Sequence, residues 1–132
     1  IVNEEGAILV EKRKREPAKG TLDLPGGFAD AGETAEEGVA REVKEETGLE
    51  VVSAKYLFSL PNVYRYCGID VPTLDAFFEC KVRDISALKA DDDAAECMWL
   101  KPEDIHTEQF GLRSVRWGLV QYLETLQTKR EL

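Results

Sequence analysis

One segment constrains this chain more than any other: residues 27 to 49, GFADAGETAEEGVAREVKEETGL, in which a glycine-led loop runs into a helix crowded with acids. Thr34 is a strong N-cap and Glu37, three residues on, completes a capping box, while Gly48 suits the left-handed conformation that stops a helix. These signals predict a helix over 35–47. At about 3.6 residues per turn Glu42 and Glu46 fall on nearly one line, Glu45 lies about 100° round from Glu46, and the stripe borders an apolar line of Ala35, Val39 and Val43. The acids therefore sit at the rim of the buried face.

A solvated acidic face is the simplest account of such a run, yet two local costs oppose it. Glu42 forms like-charge pairs with Glu45 and Glu46 at i,i+3 and i,i+4, each unfavourable by roughly 0.2–0.5 kcal/mol. Glu45 and Glu46 also occupy the last helical turn, where the macrodipole disfavours negative charge. A divalent cation reverses both penalties, because hard ions such as Mg²⁺ seek carboxylate oxygens. Arg41 is spaced to pair with Glu45 one turn later and Glu37 one turn earlier, a placement that orients a ligand carboxylate.

Written as G-x5-E-x7-R-E-U-x-E-E-x-G-U, with U apolar, the pattern is filled in order by Gly27, Glu33, Arg41, Glu42, Val43, Glu45, Glu46, Gly48 and Leu49. It resembles the Nudix box. The resemblance extends to LDLPGG ahead of the box, a downstream acid near a strand ending in Trp99 and a C-terminal amphipathic helix. It implies an α+β chain with the Nudix fold, an α/β/α sandwich with a mixed central β-sheet between helices. It also implies hydrolysis of the diphosphate in a nucleoside diphosphate linked to another moiety, by water attacking phosphorus with Mg²⁺ or Mn²⁺ as cofactor. In that reading Glu42, Glu45 and Glu46 are metal ligands, with Gly26 or Gly27 presenting backbone to metal or phosphates; Glu45, Glu42, Arg41 and Glu96 are the catalytic candidates, and the general base stays open among the acids. Glu96, in AECMWL, is the favoured extra acid, with Asp91, Asp92 and Asp93 as rivals; Glu33 is assigned to stabilising the loop. Gly27, Arg15 and Tyr64 are the candidate substrate contacts.

Composition narrows the partners. A chain of 132 residues, 43% hydrophobic and 33% charged, suits one domain over 1–132 with a single core. A net charge of -9 opposes binding to long nucleic acid but leaves room for a small anionic nucleotide beside a cation and the basic run Lys12 to Arg15. No stretch has the length of a membrane span and no leader pattern is present, so the expectation is a cytoplasmic protein without a membrane partner, with a homodimer left open. Cys67, Cys80 and Cys97 are odd in number and lack a C-x-x-C pair, which predicts buried thiols rather than a disulfide framework or zinc site. Ile1 reads as the start of a strand, so the chain is expected to be an excerpt with room for an upstream segment. Some relatives similar to NADH pyrophosphatases carry a zinc ribbon there.

Strands are expected at Ile1 to Asn3, Ala7 to Glu11, Thr21 to Leu24, Val51 to Leu60, Val63 to Cys67, Thr73 to Val82 and Cys97 to Leu100, with an acidic loop region from Asp84 to Ala95. Pro102 opens a short helical turn, and Val115, Leu119, Tyr122, Leu123 and Leu126 recur at helical steps in a final amphipathic helix from Leu112. The lone His106 is given a surface or capping role. Tyr64 and Tyr66 alternate on one strand face, and with Phe28 are candidates to stack a base, although packing is the default for Phe28. NADH-pyrophosphatase-like relatives carry S-Q-P-W-P-F-P-x-S beyond the box; here Ser59-Leu60-Pro61-Asn62-Val63-Tyr64 matches only Ser59 and Pro61, which weighs against NADH itself but not against a related dinucleotide, ADP-ribose or a nucleoside triphosphate; a sugar nucleotide also falls within the substrate class that the resemblance implies. The rival class is a Nudix-fold sensor or interaction domain that binds a nucleotide without cutting it; the intact acids argue against it.

Overall fold

The alternation in the first strand decides the layers of the molecule. In the computed structural model, which describes residues 1–88 and 96–131, β1 (Ile8–Lys12) lies between β2 (Leu22–Asp23) and β5 (Cys97–Leu100) in an antiparallel three-stranded sheet. Successive strand residues face opposite sides. Ile8 and Val10 join Ile105, Phe110 and Leu119 in one buried cluster, against which Val115, Tyr122 and Leu123 of helix α2 (Arg113–Glu131) pack. Leu9 points the other way, to Val43 and Leu49, with Val39 of helix α1 (Ala35–Thr47) beside them. One short strand thus separates two helices, as an α/β/α layering requires.

Helix α1 begins and ends where its caps dictate. Thr34 accepts from the Glu37 N–H, Glu37 reciprocates on the Thr34 N–H, and Gly48 closes the helix at φ 78° with its N–H on the Lys44 carbonyl. Thr47 is fully buried, its hydroxyl donating to Val43 O at 2.6 Å and accepting from Leu49 N at 3.1 Å, so the turn into the next strand satisfies its own polar groups.

The second sheet is a long antiparallel hairpin of β3 (Val51–Tyr66) and β4 (Ile69–Val82), tied to the chain start by a hydrogen bond from Val2 N to Cys80 O. Where two strands separated near Pro61 were expected, β3 runs through Pro61 without a break. Both strands of a two-stranded sheet are edges, so the missing proline N–H at Pro61 and at Pro72 can lie on an open side at no cost to the ladder. The hairpin closes at Cys67 and Gly68, both with positive φ (50° and 77°), the combination a two-residue turn of matching twist demands. Cys67 is therefore exposed, contrary to the expectation of three buried thiols; Cys80 is buried and Cys97 half-buried, and none of the three is in a disulfide.

Other differences are local. The expected strand at Ile1 to Asn3 reduces to a single bridge between Val2 and Ile8, because the Asn3 side chain accepts from Glu5 N and Ala7 N and turns the backbone instead. The strand pairs are antiparallel, and the parallel component is one bridge, Leu22 to Phe110. Short 3₁₀ turns occupy Ile85–Ala87, Pro102–Asp104, as expected from Pro102, and Thr107–Gln109. Asp91, Asp92 and Asp93, the proposed rivals of Glu96, lie outside the described residues. Among the described residues no helix is long and apolar enough to cross a membrane.

Helix α2 seats on the hairpin through a glycine. A Cβ at Gly118 would enter the Phe77 ring, and one turn further the Tyr122 hydroxyl donates to Glu79 at 2.6 Å. We expect Gly118→Val to lower unfolding free energy by about 1–3 kcal/mol, the usual range for overpacking, as read by urea denaturation. An unchanged midpoint would contradict the close helix-to-hairpin approach.

Candidate active site

The same alternation that divides the core carries an acid inward. After Leu9, the next residue of β1 on the α1 side is Glu11, only 7% exposed, with Asp23 of β2 and Cys97 of β5 opposite it in register. Glu46 of α1 stands beside Glu11 and accepts a hydrogen bond from Gly26 N at 3.1 Å. Burial first, and then the neighbouring acids, hold both carboxyls above the ordinary carboxylate range: Asp23 acts on Glu11, and Glu11 acts on Glu46. Burial also raises Asp23, partly offset by the Leu24 N–H and by Arg13, whose guanidinium contacts Asp23 at 2.7 Å. The Cys97 thiol is pushed up by burial and by the charges of Glu11 and Glu46.

The helix is fastened to its preceding loop by Arg41. Its guanidinium grips Glu33 with two bonds, Nε to Oε2 at 2.8 Å and Nη2 to Oε1 at 3.0 Å, and also reaches Phe28 O at 2.9 Å, Glu42 at 2.9 Å, Glu45 at 3.2 Å and Asp30 at 3.2 Å. Such forked contacts fix direction as well as charge. Arg41 holds Glu33 below its usual range, and Glu33 also accepts from the Asp30 N–H. Gly27 is where the loop crosses the helix: a Cβ there would collide with the Glu42 carboxylate, so only glycine lets backbone and acid approach this closely.

The structure brings Gly26, Gly27, Arg41, Glu42, Glu45 and Glu46 together. It does not bring Glu37 to Arg41: Glu37 is occupied by the capping box, and Glu33, nearer along the loop, takes the guanidinium. Glu96 is exposed just before β5, its carbonyl accepting from Lys12 N. Arg15 is exposed in the loop after β1, while the cation facing the acids is Arg13, held by Asp23 and by the Pro17 carbonyl at 2.7 Å. Glu11 was missed. Its signal was present as an acid in the inward phase of ILVEK, two residues after Leu9.

A cavity of about 460 Å³ leads away from this acidic end. Gly26, Gly27, Phe28 and Arg13 line it on one side, and Asn62, Tyr64, Thr73 and Asp75 on the hairpin side. Phe28 and Tyr64 meet edge to face with centroids 5.3 Å apart. Tyr66, further along the same strand face, is 63% exposed and does not line the cavity. His106 is exposed and makes no side-chain cap.

Among the described residues no three His, Cys, Asp or Glu side chains converge as a ready cation cage. The reason is visible: Glu42 and Glu45 are turned to Arg41, while Glu46 is turned to Gly26 and Glu11. The donors nevertheless suit a hard divalent ion, being carboxylate and backbone oxygens, and buried Glu11 beside half-buried Glu46 concentrates negative charge there. With EDTA at pH 8, Glu11→Gln is expected to raise unfolding free energy by about 1 kcal/mol, since an amide donates to Glu46 where a second carboxylate repels it. A loss of stability in denaturant titration would refute the crowding.

The family profile of the NUDIX domain matches residues 1–123. The chain is 50% identical over 64 residues to an ADP-ribose pyrophosphatase of Methanocaldococcus jannaschii, a stretch covering 47% of this chain and 38% of that protein. It is 31% identical over 116 residues to a MutT-like protein of Streptomyces ambofaciens, covering 88% of this chain and 69% of the relative. The solved structure of a NUDIX hydrolase from Nitrosomonas europaea superposes with a TM-score of 0.70 at 26% identity, over 94% of this chain and 66% of that one. The chain thus aligns with well under half of the archaeal relative's length. With the profile spanning nearly all of the sequence and the capped acidic helix in place, the chain belongs to the NUDIX domain family.

Proposed function

We propose that this protein hydrolyses the diphosphate linkage of a small nucleoside diphosphate derivative, of the ADP-ribose, dinucleotide or sugar-nucleotide kind, with Mg²⁺ or Mn²⁺. The observation that carries this reading is the continuity of one cavity from the Gly26-Gly27 turn, beside Glu42 and Glu46, to the aromatic pair Phe28 and Tyr64. An anionic diphosphate at the first end and a nucleoside at the second fit its two chemistries. The archaeal relative's name, an ADP-ribose pyrophosphatase, supports the same class.

Glu42, Glu45 and Glu46, with the backbone of Gly26, are the residues that would hold the cation, and Glu11 adds charge behind Glu46. When bound, the ion supplies neutralisation of diphosphate oxygens and Lewis acidity at phosphorus. Arg41 aims Glu42 and Glu45 through one nitrogen, Nη1, so a movement of either carboxylate is felt by the other. A carboxylate of this group takes the proton of the attacking water, which requires hydrogen-bond reach of the water in the bound complex. Arg13, anchored on Asp23, offers positive charge on the cavity wall where diphosphate oxygens pass.

Glu45→Gln and Glu46→Gln are expected to lose at least about a hundredfold in kcat/KM, the scale of a general acid–base or charge-stabilising group, while unfolding as cooperatively as the parent. The assay is release of the two phosphate products from ADP-ribose, NADH, a sugar nucleotide and a nucleoside triphosphate with Mg²⁺ or Mn²⁺. Binding of these compounds without turnover by the parent protein would favour the nucleotide sensor. Near-parental rates in both variants would remove these acids from the mechanism.

A further inference from the structure

We propose that Asn62, Thr73, Asp75 and Ser114 form a subsite that recognises hydrogen-bond donors of the substrate's nucleoside, on its base or its ribose. The inference deepens the proposed function and rests on it for the position of the diphosphate. Asn62 and Thr73 are cross-strand partners, and Asp75 pairs with Leu60 two positions along, so all three stand on the hairpin face that carries Tyr64. Ser114 reaches them from the first turn of α2 and is 3% exposed.

Asp75 organises the group by absorbing its donors. The Ser114 hydroxyl donates to Oδ2 at 2.5 Å, the Thr73 hydroxyl to Oδ1 at 2.9 Å, and Asn62 Nδ2 makes a longer contact with Oδ2 at 3.4 Å. A carboxylate has about four lone-pair positions, so these contacts leave one on Oδ1. Both hydroxyl hydrogens are spent on Asp75. The amide nitrogen of Asn62 faces the carboxylate as well, which leaves its oxygen to point elsewhere. What the cluster still offers is three acceptors, Asp75 Oδ1, Asn62 Oδ1 and the Thr73 oxygen, against one donor, the second N–H of Asn62.

A ligand edge that meets the open position on Asp75 Oδ1 must donate. A base amino group and the ribose hydroxyls qualify, whereas a base carbonyl at the same place would face acceptors and leave buried polar atoms unpaired. The negative charge of Asp75 also repels phosphate, so the substrate is admitted in one direction, with its diphosphate toward Gly26 and Gly27 and its nucleoside toward the hairpin. Phe28 follows Gly27 directly and meets Tyr64, so the stacking surface joins the two ends.

Binding, not turnover, reads this subsite, which separates its failure from that of the hydrolase proposal. Calorimetry with AMP, IMP, 2′-deoxy-AMP and 3′-deoxy-AMP compares ligands that carry no diphosphate to cut. If the base amine is read, AMP binds about tenfold more tightly than IMP; if the ribose is read, AMP exceeds one of the deoxy forms by about the same factor. Asp75→Asn releases donors into the cavity and is expected to abolish or reverse the preference seen in the parent. Asn62→Leu, which leaves Asp75 held by Ser114 and Thr73, is expected to reduce it severalfold and serves if Asp75→Asn does not fold. Equal affinity of the parent for all four nucleotides, or a preference untouched by both folded variants, overturns the proposal.

Discussion

The forked grip of Arg41 on Glu33 is the interaction on which the rest of the site depends. The loop of residues 26–33 has no helix or strand of its own, and its middle lies over α1 between the Gly26–Glu46 bond and the Thr34 cap. By taking both oxygens of Glu33 and the Phe28 carbonyl, Arg41 converts that loop into a fixed rim above the helix. The rim presents Gly26 to Glu46 and Gly27 to Glu42. A lysine, with one compact charge, has no equivalent way to satisfy a planar carboxylate and a carbonyl together.

Charge is then distributed around this grip in two ranks. Glu42 and Glu45 face Arg41, whereas the charge of Asp23 raises the Glu11 carboxyl and that of Glu11 raises Glu46, and Arg13 is held by Asp23. The second rank is the more buried one. Removing like charges from water together is a costly arrangement, and here it occurs where two layers of the fold meet. The acids are held there by β1 and α1, whose positions are set by Leu9, Val43 and Leu49 on the same side of the sheet.

Much of this was legible before any coordinates. The helix limits followed from Thr34, Glu37 and Gly48 because caps act within a few residues, and β5 followed from a short apolar run for the same reason. The site was legible only where it is local. Glu42, Glu45, Glu46 and Arg41 belong to one helix and announce each other by spacing; Glu11 joins them across the sheet, and only the phase of β1 hints at it. The position of Arg13 on Asp23 was equally hidden, since it depends on how β1 pairs with β2 through Lys12 and Leu22 and not on the basic run itself. The Pro61 break was misplaced because a proline disrupts a ladder only when neighbours flank both sides, a fact of topology rather than composition.

The hairpin pairs with itself alone, and its far end is a two-residue turn at Cys67 and Gly68. Residues added or removed there in facing pairs leave every earlier pairing in phase, from Tyr64 and Val71 back to the strand ends. The acids carried on α1 and β1 do not register such a change. Descendants of this architecture can therefore lengthen or trim an arm with no mutation among the acids or in the loop that Arg41 holds.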